Sequence, residues 1–171
     1  MTCIVGIANG TNVYIGADRS ASDDITMVSM YRPKVHIKND FIFGYSGSAG
    51  TGQLMEMINF NNIDEDPYYY IRLEVVKQLK NAMDAFGVVS DEHDAQFLIG
   101  NKGRLFELCT VDWSVIEVQE SAVGSGGPIA LGSLYTTSSL YTDNTIRIRI
   151  AIDAAIKYSP HCIGPIDVLY I

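Results

Sequence analysis

The sequence predicts an α+β fold in which two sheets pack together with helices on the outside. Three observations carry that expectation. Short apolar stretches of strand length, punctuated by turn residues, fill the first third of the chain; longer stretches with apolar residues three and four apart follow them; and the same order then repeats. Runs of strands followed by runs of helices build separate layers rather than the alternating units of a parallel sheet.

In Thr2 to Ala8 the apolar residues Ile4, Val5, Ile7 and Ala8 are dense, and Asn9-Gly10, both tolerant of positive φ, turn the chain into a second strand from Val13 to Ala17. After a polar stretch, Lys34 to Lys38 and Phe41 to Tyr45 read as a hairpin about Asn39-Asp40. From Ala49 the period becomes helical, with Leu54, Met57 and Ile58 on one face. Asn61-Asn62 break it. Pro67 opens a second helix, on which Ile71, Val75, Leu79, Ala82 and Phe86 recur until Gly87 stops it. Ala95 to Gly100, Arg104 to Thr110 and Val115 to Val118 return to strands, joined by Lys102-Gly103 and by Asp112 to Ser114. Ile146, Ile148, Ile150 and Ile152 then alternate as a strand would, whereas Ala151 to Tyr158 has helical spacing. We read helix there, capped by Asp143 and ended by Ser159-Pro160, with Ile166 to Ile171 as a closing strand.

Composition narrows the function. Lys and Arg number 12 against 20 Asp and Glu, a formal charge of −8, which argues against nucleic-acid binding because neutralising phosphates requires a basic patch. At 47% apolar and 19% charged residues the chain can build a core, and 171 residues fit one domain, 1–171. No apolar run approaches the ~20 residues of a membrane helix, and the N-terminus lacks a secretory signal, so the cytoplasm is the expected location. Cys3, Cys109 and Cys162 are odd in number and outside metal-ligand spacing, which fits a reducing compartment, with Cys109 a small buried hydrophobe. His36, His93 and His161 are dispersed. Only His161 and Cys162 adjoin, and sequence neighbours point apart, so neither a metal site nor a cofactor is expected.

The informative feature is a threonine directly after the initiator Met, with Asp18 and then Lys34 following at sixteen-residue steps. If the first three strands are neighbours, Thr2, Asp18 and Lys34 meet at one edge of a sheet. A threonine hydroxyl is a weak nucleophile until a base removes its proton, and an N-terminal threonine carries that base in its own α-amine. The amine has an ordinary pKa of ~7.7–8.0, so part of it is free at neutral pH. A Lys34 cation a few ångströms away disfavours the protonated amine by ~1 to ~4 kcal/mol, against ~1.4 kcal/mol per pKa unit, and Asp18 keeps that cation oriented. Two small-residue turns accompany them. Residues 44–50, around Gly47, can offer backbone N–H groups to the oxyanion of a tetrahedral intermediate, and Val123-Gly124-Ser125-Gly126-Gly127 precedes a helix. Singly, each feature has a plain structural reading: a strand residue, a turn aspartate, an edge lysine and two tight turns. Together they favour catalysis. Tyr68-Tyr69-Tyr70 reads as helix-start packing or subunit contact, and Asp64-Glu65-Asp66 as a solvated loop that suits the next helix dipole.

The ordered set Thr-Cys-Ile-Val-Gly-Ile, Gly-Ala-Asp-Arg-Ser, Lys34, the Gly47 turn, Val-Gly-Ser-Gly-Gly and a short closing strand resembles proteasome β-type subunits, and among them the bacterial HslV peptidase branch. The resemblance runs over nearly the whole chain. It implies a four-layer αββα sandwich of two antiparallel sheets, the N-terminal nucleophile hydrolase fold, in subunits that form rings of identical copies around a proteolytic chamber. It implies that Thr2 is the nucleophile once Met1 is removed, that Lys34 and Asp18 are its electrostatic partners, that the Gly47 N–H is the oxyanion donor and that Ser125 helps hold the amine. In HslV-like enzymes a separate ATPase ring feeds unfolded polypeptides to the chamber, and nothing in this sequence is a nucleotide site.

Three departures keep other readings open. Family members often carry an Asp, then a Ser three residues later, before the final glycine-containing strand; here Ser159-Pro160-His161-Cys162-Ile163-Gly164 stands there. Gly52-Gln53 replaces an acidic residue after the first glycine turn, and the chain starts Thr2-Cys3 rather than with paired threonines. A catalytically inactive structural subunit of the same fold, for example of a phage particle with a virion location, is therefore the alternative, and a small-molecule amidase is a third. Retention of Met1 would leave Thr2 without a free amine.

Overall fold

The computed structural model describes residues 2–22, 25–88 and 94–171; Met1 and His93, both considered above, lie outside them. The first sheet contains β1 (Ile4–Ala8), β2 (Val13–Ala17) and, from later in the chain, β10 (Glu120–Val123) and β11 (Asp167–Tyr170), in the antiparallel order β10-β1-β2-β11. The second sheet is the antiparallel meander β5 (Val35–Lys38), β6 (Phe41–Gly47), β7 (Ala95–Asn101), β8 (Arg104–Cys109) and β9 (Val115–Val118). A small ribbon of β3 (Ser20–Ser22) and β4 (Met27–Ser29) stands apart. α1 (Ala49–Met57) and the rod made of α2 (Pro67–Tyr70), a π-helical turn (Ile71–Val75) and α3 (Val76–Ala85) cover the second sheet, while α4 (Gly127–Thr137) and α5 (Asn144–Tyr158) cover the first.

The expected four layers are therefore present, and three apolar seams hold them. Between the sheets, Ile4, Val13 and Ile15 meet Val35, Ile42, Leu98 and Leu105. Phe41, Phe43, Phe97 and Phe106 pack outward against Leu54, Ile71 and Leu79, and Cys3, Val5 and Ile7 pack against Leu134, Ile148 and Ile152. Strand β1 thus has one row of side chains in the central seam and the other under helices, which is why it reads as a continuous apolar run and not as an alternation.

Several sequence expectations need correction. Thr2 and Asp18 flank β1 and β2, but Lys34 precedes β5 in the opposite sheet, so the trio meets across the gap between sheets rather than along one edge. Met57 is 63% exposed; Met55 and Leu54 take the buried face of α1. Phe86 is also exposed, and Met83 is the last buried residue of that helix. The burial of Ile71, Val75, Leu79 and Met83 steps by four, and the π turn, with more residues per turn, keeps that stripe against the sheet. Cys109 is half-buried rather than buried. In the first hairpin only Gly10 has positive φ (84°), and Asn9 instead accepts hydrogen bonds from the N–H groups of Thr11 and Asn12. The sequence pattern marks no strand at β3, β4 or β10.

α5 is helical, as its spacing indicated. Asp143 accepts from Thr145 and Ile146 N–H, and Ile148, Ala151, Ile152 and Ala155 form the buried face. The alternating isoleucines come from Ile146 and Ile150 lying off that face. Tyr70 is buried, its hydroxyl accepting from Asn61 N–H, Tyr68 packs half-buried against the same core, and Tyr69 is exposed. Asp66 caps α2 and also pairs with Arg104.

Candidate active site

At one end of the sandwich the sheets bring Thr2, Asp18 and Lys34 together, 2%, 0% and 3% exposed. Lys34 Nζ donates to Thr2 Oγ1, which donates to Asp18 Oδ1 at 2.5 Å; Lys34 Nζ lies 3.2 Å from the same carboxylate oxygen. Asp18 is held by more than this. Its Oδ1 accepts from Cys3 N–H, and its Oδ2 accepts from Ser20 N–H, Ser20 Oγ and Ile163 N–H. A buried carboxylate with this many donors is fixed in place and compensated for the loss of water. Burial lowers the Lys34 pKa, and Asp18 opposes that shift only in part. A lysine in this state gives up its proton more readily than one in water.

The second glycine turn wraps the backbone of Thr2. Thr2 N–H donates to Ser125 Oγ at 3.3 Å, Gly126 N–H donates to Thr2 O at 3.1 Å, and Ser125 Oγ donates to Thr2 O at 3.4 Å. Gly124 has φ +92°, and a Cβ there would meet Ser46 Oγ and Thr2 O at 2.4 Å, so the turn approaches this closely because no side chain intervenes. The first glycine turn sits opposite. Gly47 ends β6 with φ +95°, a Cβ on it would lie 2.2 Å from Asp94 O, and Ser48 then caps α1 by accepting from Thr51 N–H.

Two cavities flank Gly47. One, of about 220 Å³, is lined by Thr2, Lys34, Ser20, Ser22, Tyr45 and Ser46 among others. The second, of about 410 Å³, opens on the other side and includes Ser125, Gly124, Asp94, Gln96, Cys109 and Val111. Burial, then the Glu56 carboxylate, push the Tyr45 hydroxyl up to about 12.

Of the five sequence-selected residues, Thr2, Lys34, Gly47 and Ser125 line one cavity or the other, while Asp18 lines neither and is buried behind Thr2 and Lys34, to which it is hydrogen-bonded. Ser20 and the Ile163 N–H were missed as supports of Asp18. Ser20 could have been found, since it stands in the same Gly-Ala-Asp-Arg-Ser segment; Ile163 is 145 residues away from Asp18 and carries no local signal. In the Ser159–Gly164 stretch, where the family pattern places a carboxylate, the buried Cys162 thiol has its pKa raised by burial and by Asp18, partly offset by the hydroxyls of Ser159 and Ser125. Among the described residues no three His, Cys, Asp or Glu side chains converge as metal ligands would, and no helix is long and apolar enough to cross a membrane.

The layers and their order are those of the N-terminal nucleophile hydrolase fold. Solved structures with this fold that match the chain are HslV-like, proteasome-type proteins. BPH from Thiobacillus denitrificans superposes with TM-score 0.79 at 21% identity, covering 100% of this chain and 97% of its own, and its complex with epoxomicin gives 0.80 at 20%. HslV from Trypanosoma brucei gives 0.72 at 18% identity over 99% and 98% of the two chains. A Gly-1 mutant of Anbu from Hyphomicrobium sp. strain MC1 gives 0.75 at 16% over 98% and 80%. No family model matches the sequence, and no curated protein matches it.

Proposed function

We propose that the chain is a threonine-type peptidase subunit of a self-compartmentalised ring, acting on unfolded polypeptides with Thr2 as nucleophile after removal of Met1. The observation that carries this reading is the convergence of Lys34 Nζ and Asp18 Oδ1 on Thr2 Oγ1, with Thr2 N against Ser125 Oγ. In the reaction, the proton of Thr2 Oγ1 passes to the free α-amine while Oγ1 bonds to the scissile carbonyl carbon. The carbonyl oxygen becomes an oxyanion, and in this reading the Gly47 N–H is the donor that stabilises it. The carbon–nitrogen bond then breaks, the amine hands its proton to the leaving nitrogen, and water hydrolyses the acyl ester to restore Thr2. Lys34 lowers the proton affinity of the amine, and Asp18 fixes Lys34. Identical subunits form the ring, a separate ATPase ring supplies unfolded chains, and the reading needs neither nucleic acid nor membrane. The location is the cytoplasm, or a virion if the chain is of phage origin.

The test is hydrolysis of an unfolded protein by the wild-type chain and by Thr2→Ala. Loss of cleavage in the variant, with the fold kept, supports the reading. Equal cleavage by both refutes it. An inactive structural subunit is the second reading, favoured by the absence of an aspartate from the Ser159–Gly164 stretch, where many active family members carry one. Incorporation into a larger assembly with no hydrolysis would establish it.

A further inference from the structure

We infer that the 410 Å³ cavity beside Ser125 receives the part of the substrate that follows the scissile bond, and that it selects a basic residue there, lysine or arginine. This rests on the peptidase reading above and adds the polarity and chemistry of its substrate.

The direction of the substrate follows from where the proton must go. The amine that removes the hydroxyl proton must return it to the leaving nitrogen, which requires an approach of roughly 3 Å, directly or through one water. Thr2 N faces Ser125 Oγ at 3.3 Å, and Ser125 with Gly124 lines the larger cavity. The smaller cavity contains Thr2, Lys34 and Tyr45 but neither Ser125 nor Gly124. Ser46 and Gly47 line both and form the saddle between them. A carbonyl placed over that saddle, with its oxygen toward the Gly47 backbone, has its nitrogen on the Ser125 side. The acyl portion then fills the smaller cavity and the leaving portion the larger.

The walls of the larger cavity define what fits. Among the described residues, Asp94 is the one charged residue of its lining, and Val111 and Cys109 supply apolar surface beside it. Among the described residues no cation is paired with the Asp94 side chain. A long side chain with an apolar stem and a cationic end matches this arrangement: the stem lies along Val111 and Cys109 and the charge reaches Asp94. A carboxylate in the same position meets like charge.

The test uses internally quenched peptides that differ only in the residue whose nitrogen leaves, lysine against glutamate, at low ionic strength. The wild-type chain should cleave the lysine peptide with kcat/KM about tenfold higher, the combined effect of one exposed attraction and one repulsion. Asp94→Asn should bring that ratio toward one, Asp94→Lys should invert it, and added salt should reduce it. Cys109 gives an independent readout, since Cys3 and Cys162 are 0% and 2% exposed and a maleimide should react at Cys109 first. Alkylation should slow the peptides more than a substrate whose leaving group is a small aromatic amine, and Cys109→Ser should abolish that difference. Turnover with a lysine-to-glutamate ratio of one, or a ratio unmoved by both Asp94 variants, overturns the inference while leaving the peptidase reading intact. Absence of turnover together with absence of covalent labelling at Thr2 overturns the peptidase reading, and the inference with it.

Discussion

Lys34 and Thr2 belong to different sheets, yet Lys34 Nζ donates a hydrogen bond to Thr2 Oγ1. The two residues stand at the heads of β5 and β1, and the apolar seam between the sheets, with Ile4 and Val35 nearest to them in sequence, sets their separation. The geometry of the site is therefore a property of how the sheets pack, and a substitution in that seam acts on the chemistry from a distance.

Lys34→Ala should remove activity on unfolded polypeptide, and Lys34→Arg should not restore it, because a guanidinium stays charged and cannot match the compact ammonium between Thr2 and Asp18. The alanine variant also leaves a buried carboxylate without its cation, which costs about 3–5 kcal/mol in such pairs. The remaining donors to Asp18, from Cys3, Ser20 and Ile163, place the expected loss at the low end. Urea unfolding of the variants alongside the activity assay measures both effects.

Gly47→Ala should lose both stability and rate. Its φ of +95° disfavours a side chain, and the added Cβ would strike Asp94 O. Such strain costs on the order of 1–3 kcal/mol, and displacing one oxyanion donor lowers kcat by about 10²–10³-fold. Thermal unfolding and steady-state kinetics on the same preparation separate the two. Retention of full kcat would remove Gly47 from the mechanism.

Legibility in the sequence followed the range of the interactions. Hairpins marked by Gly10, Asn39 and Lys102-Gly103, the capped start of α5 and the proline opening of α2 are local, and each formed as expected. The spacing of Thr2, Asp18 and Lys34 indicated a cluster but not its geometry, because a sixteen-residue step does not say whether Lys34 reaches Thr2 along one sheet or across two. β10 escaped notice since Glu120-Ser121-Ala122-Val123 is a strand only through its pairing with β1. Met57 and Met55 show the same limit: two residues apart, they lie on opposite faces of a short helix, and tertiary packing decides that Met55 is the buried one. The support of Asp18 by Ile163 joins the two ends of the chain and is invisible to any local pattern.

Asp143→Ala should shorten α5 from its N-terminus. The carboxylate caps two N–H groups, those of Thr145 and Ile146. Loss of such a cap costs about 1 kcal/mol, readable as a lower urea midpoint with an unchanged m-value.

Stability should fall as the solution is made alkaline. Burial raises the Cys3 and Cys162 thiol pKa values from an ordinary 9.0, and Tyr45 rises from 10.0 to about 12. The unfolded chain releases these protons first, so each group stabilises the fold below its ordinary pKa and loses that contribution as pH climbs toward the folded value. Lys34 acts in the opposite direction, its folded pKa being below 10.5, so its contribution rises with pH up to that point and then levels off. Above pH 10.5 the Tyr45 decline is unopposed by Lys34 and continues to about 12. Tyr45→Phe should flatten the fall in urea midpoint across that window, and an unchanged slope would show that the buried hydroxyl is not responsible.

The most direct test of the central claim is the intact mass of the purified chain before and after incubation with epoxomicin, the compound bound in the Thiobacillus denitrificans neighbour. The account predicts a chain that begins at Thr2 and gains a single adduct, located on Thr2 and absent from the Thr2→Ala variant. A chain that keeps Met1 and gains no adduct contradicts it.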